Sequence, residues 1–188
     1  MDIYRVHVSL REIEPAIWRR IELSSQTTLR QFHRILQIAM GWTNSHLHEF
    51  LVGRQRYGIP DPEYDELGEV IIEGKVRLFE VLPVPGSQIG YVYDFGDNWE
   101  HAVTLEEAVP AEPGVEYPRV HDGARSCPPE DCGGTSGYTD LLDVLIDPTH
   151  EDFEPMREWA GERFNAEVFS LKNINLRLHR NRSLAAKS

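Results

Sequence analysis

The sequence predicts an α+β fold: a mixed or antiparallel sheet with a β-grasp-like hairpin–helix–strand start, followed by C-terminal helices packed on the sheet. Three observations carry this expectation. Apolar and polar residues alternate with period two in "IYRVHVSL" (3–10) and "AIWRRIEL" (16–23). A capped helical pattern follows in "SSQTTLRQFHRILQIAMGW". From residue 137 onward helical periods replace alternation, so strands and helices are segregated along the chain. The 188 residues suit one domain over 1–180, with a sheet-rich part (1–109), a connector (110–137) and a helical part (138–180). Residues 181–188 read as a frayed tail.

Each element has its own signal. Glu14-Pro15 interrupts the first alternation and turns two strands into a hairpin. Thr27 or Thr28 caps the helix, Leu29, Phe32, Ile35, Leu36 and Ala39 form its apolar stripe, and Gly41 stops it. "SHLHEFLVG" (45–53) returns to strand. Residues 54–74, with Pro60 and Pro62, read as a loop holding one short strand at "EVIIEG". "VRLFEVL" (76–82) is a short helix closed by Pro83-Val84-Pro85-Gly86. "IGYVYDF" and "NWEHAVTLEEAV" form a second hairpin joined at Gly96-Asp97, where Gly and Asp permit a tight turn. The connector shows no periodicity. Helices follow in "GYTDLLDVLID" (137–147), "EDFEPMREWAGERF" and "AEVFSLKNINLRLHR", the last burying Val168, Leu171, Ile174 and Leu178. Trp18, Phe32 and Trp99 fall on apolar phases and are expected in the core.

Composition narrows the function classes. Apolar residues make up 40% and aromatics 10%, enough for a sizeable core. No apolar run is long enough to span a bilayer, and "MDIYRVHVSLREIEP" lacks the apolar segment of a signal peptide, so the expected location is the cytoplasm. The net charge of −12 is unevenly spread: +3 over 1–60, −19 over 61–160 and +4 over 161–188. An acidic middle repels phosphate backbones, and specific DNA binding is not expected.

The chemistry-bearing residues cluster in a few places. In "YVYDFGDNWEH" (91–101), Asp94, Asp97, Glu100 and His101 surround a hairpin tip. Carboxylates and an imidazole so placed bind a cation or serve as acid and base; they also suit an ordinary solvated hairpin face. His46 and His48 lie at i and i+2, on one face if both are in a strand, which makes half a metal site or an ordinary polar face. Cys127 and Cys132 have zinc-compatible spacing but need partners among His46, His48, His101 and His121; otherwise they are a redox pair or inert thiols. Gly133-Gly134 follows no strand and no Gly-Lys-Ser/Thr is present, so no phosphate-binding loop is expected. Neither a Gly-x-Ser-x-Gly elbow nor an evident base beside either cysteine marks a nucleophile. The hairpin 91–106 and the loop 126–134 are expected to converge on one polar concavity. Asp94, Asp97, His101, Glu130 and Asp131 would lie at its rim, with His101, Arg125 or a cation offsetting the acids.

Several fragments together resemble the plasmid pRiA4b Orf-three-like family, also called the MM-type plasmid Orf-like fold. They are "WRRIEL", "LHEF", "YDFGDNWEH", "PPEDCGG", "GY" and a late "W…F", spread over about residues 3 to 178. The resemblance implies a bacterial or archaeal α+β domain found near plasmids and mobile elements, with no established activity; some members carry a resolvase label. His179 and Arg182 have the His-x-x-Arg spacing of a tyrosine recombinase, but only six residues follow and none is Tyr, so recombinase chemistry is not carried over. The expected function is a non-catalytic binding or interaction module for a protein or small ligand. The binding candidates are Asp94, Asp97, Glu100, His101, Glu130 and Asp131. The alternative is a metal-dependent hydrolase using Asp94, Asp97, His101 and the His46/His48 pair; the candidate ligands for zinc or manganese are His46, His48, His101, Cys127 and Cys132.

Overall fold

Alternation along the first strand sets the inside of the molecule. β1 (Asp2–Leu10) buries Tyr4, Val6, Val8 and Leu10 and turns Arg5, His7 and Ser9 the other way. β2 (Trp18–Ser24) pairs antiparallel with it, Ile3 opposite Ser24 and Ser9 opposite Trp18. In a computed structural model that describes residues 2–60 and 70–181, the full sheet has eight strands. The others are β3 (His48–Val52), β4 (Gln55–Gly58), β5 (Val70–Ile72), β6 (Gln88–Tyr93), β7 (Trp99–Pro110) and β8 (Arg119–Ala124). Their order is β5-β4-β3-β6-β7-β1-β2-β8, and the β4–β5 pair alone is parallel.

α1 (Leu29–Met40) starts at a capping box, Thr28 and Gln31 each accepting the other's backbone N–H, and stops at Gly41 with φ 108°. Its stripe of Leu29, Phe32, Ile35, Leu36 and Ala39 is buried as expected. α2 (Leu78–Val81) follows a 3-10 turn at Glu73–Lys75. α3 (Gly134–Ile146) enters the core through Tyr138 and Leu141. α4 (Phe153–Ala160) buries no residue fully. α5 (Leu171–Arg180) packs against β8 and α1.

Several expectations need correction. The α+β class holds and the chain begins hairpin, helix, strand as expected, while the sheet order sets both β6 and β7 between β1 and β3. The connector contributes β8, whose "RVHDGA" has no readable alternation and is held by pairing to β2. Gly123 is required there, since a Cβ would meet the Phe169 ring at 2.7 Å and the Trp18 carbonyl at 2.8 Å. β4 arises likewise within the stretch read as loop. Trp18 is only half-buried and stacks on His7, because Ile21 and Leu23 point inward and period two then sends Arg19, not Trp18, to the same side. Val168 precedes α5 and is exposed, as is Leu171, whereas Leu178 is buried. The expected tail beyond Asn181 and the part of the 54–74 loop at 61–69 lie outside the described residues.

A buried guanidinium is viable only if its donors are taken. Arg19 gives its Nε to Ala39 O (2.8 Å), Nη1 to Trp18 O (2.8 Å) and Ala124 O (2.7 Å), and Nη2 to Arg125 O (2.8 Å). One side chain thus ties together the end of α1, β2 and the end of β8. No helix among the described residues is long and apolar enough to cross a membrane.

Candidate functional site

Three loops meet at one end of the sheet. The first follows α1, where Trp42 donates its indole N–H to Pro128 O (3.1 Å) and Asn44 takes φ 60°. The second is the β6–β7 tip, opened by Asp94 (φ 58°) and closed by Asn98 (φ 55°). Asp and Asn tolerate this left-handed backbone because their short side chains bond locally. The Asp94 carboxylate does so, its Oδ1 accepting from Gly96 N (2.9 Å) and Asp97 N (3.4 Å). The third loop runs from Ser126 to Gly133, with Asp131 at φ 58°. Asp97 Oδ2 latches hairpin to loop by accepting from Gly133 N (3.1 Å), and a Cβ at Gly134 would lie 2.7 Å from Asp97 O.

These contacts bring His46 against three carboxylates. Its Nε2 lies 3.1 Å from Asp131 Oδ1, 3.6 Å from Asp94 Oδ2 and 3.8 Å from Glu130 Oε2. Tyr93 is the hub beneath: its hydroxyl accepts from Ser45 N (3.0 Å) and donates to Glu130. Burial holds that phenol well above its ordinary pKa, so it stays a donor. Glu130 Oε1 also accepts from Thr43 N (2.7 Å) and Thr43 Oγ1 (2.9 Å).

A second polar cluster lies deeper. The rings of His33 and His48 stack with centroids 3.4 Å apart and planes 4° from parallel. His48 Nε2 bonds Glu73 Oε2 at 2.8 Å, and both side chains are buried. Gln37 Nε2 donates to the Tyr91 hydroxyl (3.0 Å), which faces His33 Nδ1 (2.9 Å), while His33 Nε2 meets Asn44 Oδ1. Asn44 N returns to Gln37 Oε1 (2.9 Å) and closes the ring. Because Asn44 Oδ1 only accepts, His33 carries its proton on Nε2 and takes the Tyr91 proton on Nδ1. A neutral imidazole results, and desolvation, reinforced by His48, pushes its pKa down to about 3.

His48 and His46 both line a cleft of about 640 Å3, together with Arg30, His33, Arg34 and Arg56. Arg30 approaches Glu73 Oε1 at 3.5 Å, and Arg56 Nε pairs with Glu49 at 2.6 Å.

The structure therefore brings together Asp94, Glu130, Asp131 and His46, with Asp97 as the latch. It does not gather the other candidates. His101 lies in the core rather than at the rim: it shares the inward phase of Trp99, meets Trp42 edge-on, and burial pushes its pKa down to about 4. Glu100 is on the opposite, exposed face, accepting from Asn98. His46 and His48 serve different clusters because β3 begins only at His48, so the i, i+2 rule does not reach His46. Desolvation lifts the Cys127 thiol to about 11 and the Cys132 thiol to about 12, and neither sulfur joins a metal-sized group among the described residues. Arg125 binds Glu167 and Pro15 O instead of offsetting the acids. The cluster of His33, Glu73 and Tyr91 is absent from the sequence expectations; its readable signal is His33 and Gln37 on the apolar side of α1.

An α+β fold with a polar, loop-built site at one sheet end is the class these observations define. The chain belongs to the plasmid pRiA4b ORF-3-like protein family, whose model matches residues 2–173. It is 38% identical over 160 residues to the uncharacterized protein y4hQ of Sinorhizobium fredii (strain NBRC 101917 / NGR234), covering 85% of this chain and 81% of that one. Its fold is similar to the crystal structure of MM3350, a protein of unknown function from Methanosarcina mazei Go1. The TM-score is 0.81 at 36% identity, over 92% of this chain and 97% of that one.

Proposed function

We propose that the protein is a non-catalytic binding module that takes a small anionic ligand into the cleft between α1, β3 and the Glu73–Lys75 turn. One observation carries the reading. Arg56 Nη1, in the wall of that cleft, is shielded from solvent and has no hydrogen-bond partner among the described residues. A buried unsatisfied donor costs about 1–3 kcal/mol, more when charged, and a turn of the guanidinium toward an acceptor bound in the cleft would remove that cost. The floor supports selectivity: His33 and Asn44 line it and are held in place by Gln37 and Tyr91 buried behind them. Both thiols are held protonated, so neither supplies a thiolate nucleophile.

Thermal unfolding in the presence of inorganic phosphate, sulfate or succinate tests this. At least one anion is expected to raise Tm with concentration in the native chain and to lose that effect in Arg56→Met. Equal shifts in both proteins, or none at millimolar anion, would overturn the proposal.

A hydrolase is the second reading, favoured by His48 bonded to the buried Glu73 at the cleft, the arrangement of an oriented general base. Ester or phosphodiester turnover abolished in His48→Gln would establish it. His101, sealed in the core, has no part in either reading.

A further inference from the structure

We infer that the β6–β7 tip and the 126–133 loop form a binding site for one divalent transition cation, with His46 Nε2, Asp94 Oδ2 and Asp131 Oδ1 as ligands. The site shares His46 with the wall of the anion cleft but needs none of Arg30, Arg56 or His48, so the Arg56→Met test of the anion reading leaves its ligands in place.

Spacing is the first argument. The three donor atoms lie within 4.8 Å of one another, and the His46 nitrogen is 3.1 and 3.6 Å from the two oxygens. An ion that takes nitrogen and oxygen at about 2.0–2.2 Å sets neighbouring donors about 3.0–3.6 Å apart. Direction is the second. His46 Nε2 is shielded from solvent and makes no hydrogen bond, although Asp131 Oδ1 is only 3.1 Å away. The oxygen lies off the N–H line, which defeats a hydrogen bond but suits a cation seated among the donors.

Anchoring is the third. Asp94 is fixed through Oδ1 by two backbone amides, which leaves Oδ2 turned to His46. Glu130 is fixed mainly through Oε1 by Thr43 and Tyr93, with Oε2 turned the same way at 3.8 Å. Metal-binding carboxylates are characteristically oriented by such outer contacts. Charge is the fourth. Three carboxylates face one imidazole, so even a protonated His46 leaves two negative charges in surplus, whereas a divalent ion leaves one. One nitrogen with two or three carboxylate oxygens suits manganese or zinc better than the all-oxygen set of calcium or magnesium.

Titrating the purified full chain with Mn(II), followed by loss of the free-ion paramagnetic resonance signal and then by Zn(II) competition, tests the site. About one equivalent is expected to bind, and displacement by zinc decides between the two ions. His46→Gln and Asp94→Asn should each weaken binding at least ~tenfold. Glu100→Gln, on the other face, should not. Asp131→Asn guards against misfolding, since that side chain is 72% exposed and anchors nothing, and it too should weaken uptake. Affinity should fall with pH, because the ligands must shed protons. A native chain that binds neither ion below ~100 µM would overturn the inference. So would uptake that His46→Gln and Asp131→Asn leave unchanged.

Discussion

His46 and His48 are two residues apart and face opposite situations. His48 is 6% exposed and meets one carboxylate, Glu73, itself 1% exposed, with Arg30 close behind. Acid and bases there are balanced, and the stacked His33 is locked neutral by its own ring of partners. His46 is 27% exposed and meets three carboxylates. A buried ion pair must be nearly neutral in sum or the desolvation cost is not recovered. A rim in contact with water tolerates an excess of charge and can keep it for a ligand. The same residue types thus make a structural joint at depth and a charge-rich cluster at the edge.

Removing Glu73 gives the largest expected difference between the two. Glu73→Ala strips the partner from a buried imidazole and leaves Arg30 without its acid, a loss of about 3–5 kcal/mol in urea unfolding. A loss below about 1 kcal/mol would show that the deep cluster is not a joint.

Acid sharpens the contrast next. His33 and His101 are neutral in the folded chain, with pKa values pushed down by burial to about 3 and about 4 from an ordinary 6.5. Below pH 6.5 the unfolded chain takes up protons that the folded chain refuses. The stability these groups contribute is therefore complete above pH 6.5 and is lost as pH falls through that range. For His101 the loss approaches about 3 kcal/mol by pH 4. Unfolding measured at pH 7 and pH 4.5 should show a smaller drop in His101→Gln than in the native chain, and equal drops would refute the assignment.

Smallest is the effect at the rim. Asp131→Asn removes an exposed charge from a group of like charges and should change stability by no more than about 0.5 kcal/mol, toward a gain if anything. A loss above about 2 kcal/mol would make Asp131 a structural residue and erase the difference between the clusters.

The sequence revealed these features unevenly, for physical reasons. Period two in β1 and the capped stripe of α1 are local patterns, and they located those elements directly. β8 and β4 owe their form to neighbouring strands, which no local pattern records. Trp18 misled because a large aromatic outweighs an arginine on any hydropathy scale, while Ile21 and Leu23 set the phase and carry Arg19 inside. The chemistry-rich stretches 93–101 and 128–134 were visible by composition, and the structure places them side by side through Asp97 and Gly133. That Asp94, Glu130 and Asp131 share His46 was invisible, since it depends on the turn after α1. Glu73 was hidden altogether: a single acid in a polar segment gives no hint that it is buried.

Arg19 has a consequence for how the chain could be divided. Residues 111–117 are mostly exposed and lie outside every strand and helix, between β7 and β8. A cut there would separate the first seven strands from β8 and the last three helices in the covalent sense only. β8 would remain hydrogen-bonded to β2 along its length, and Arg19 would still grip the carbonyls of Ala124 and Arg125 from the other fragment. Two fragments cut there are expected to reassociate when mixed, with the buried guanidinium of Arg19 setting the register between them, and fragments that stay apart on gel filtration would refute this.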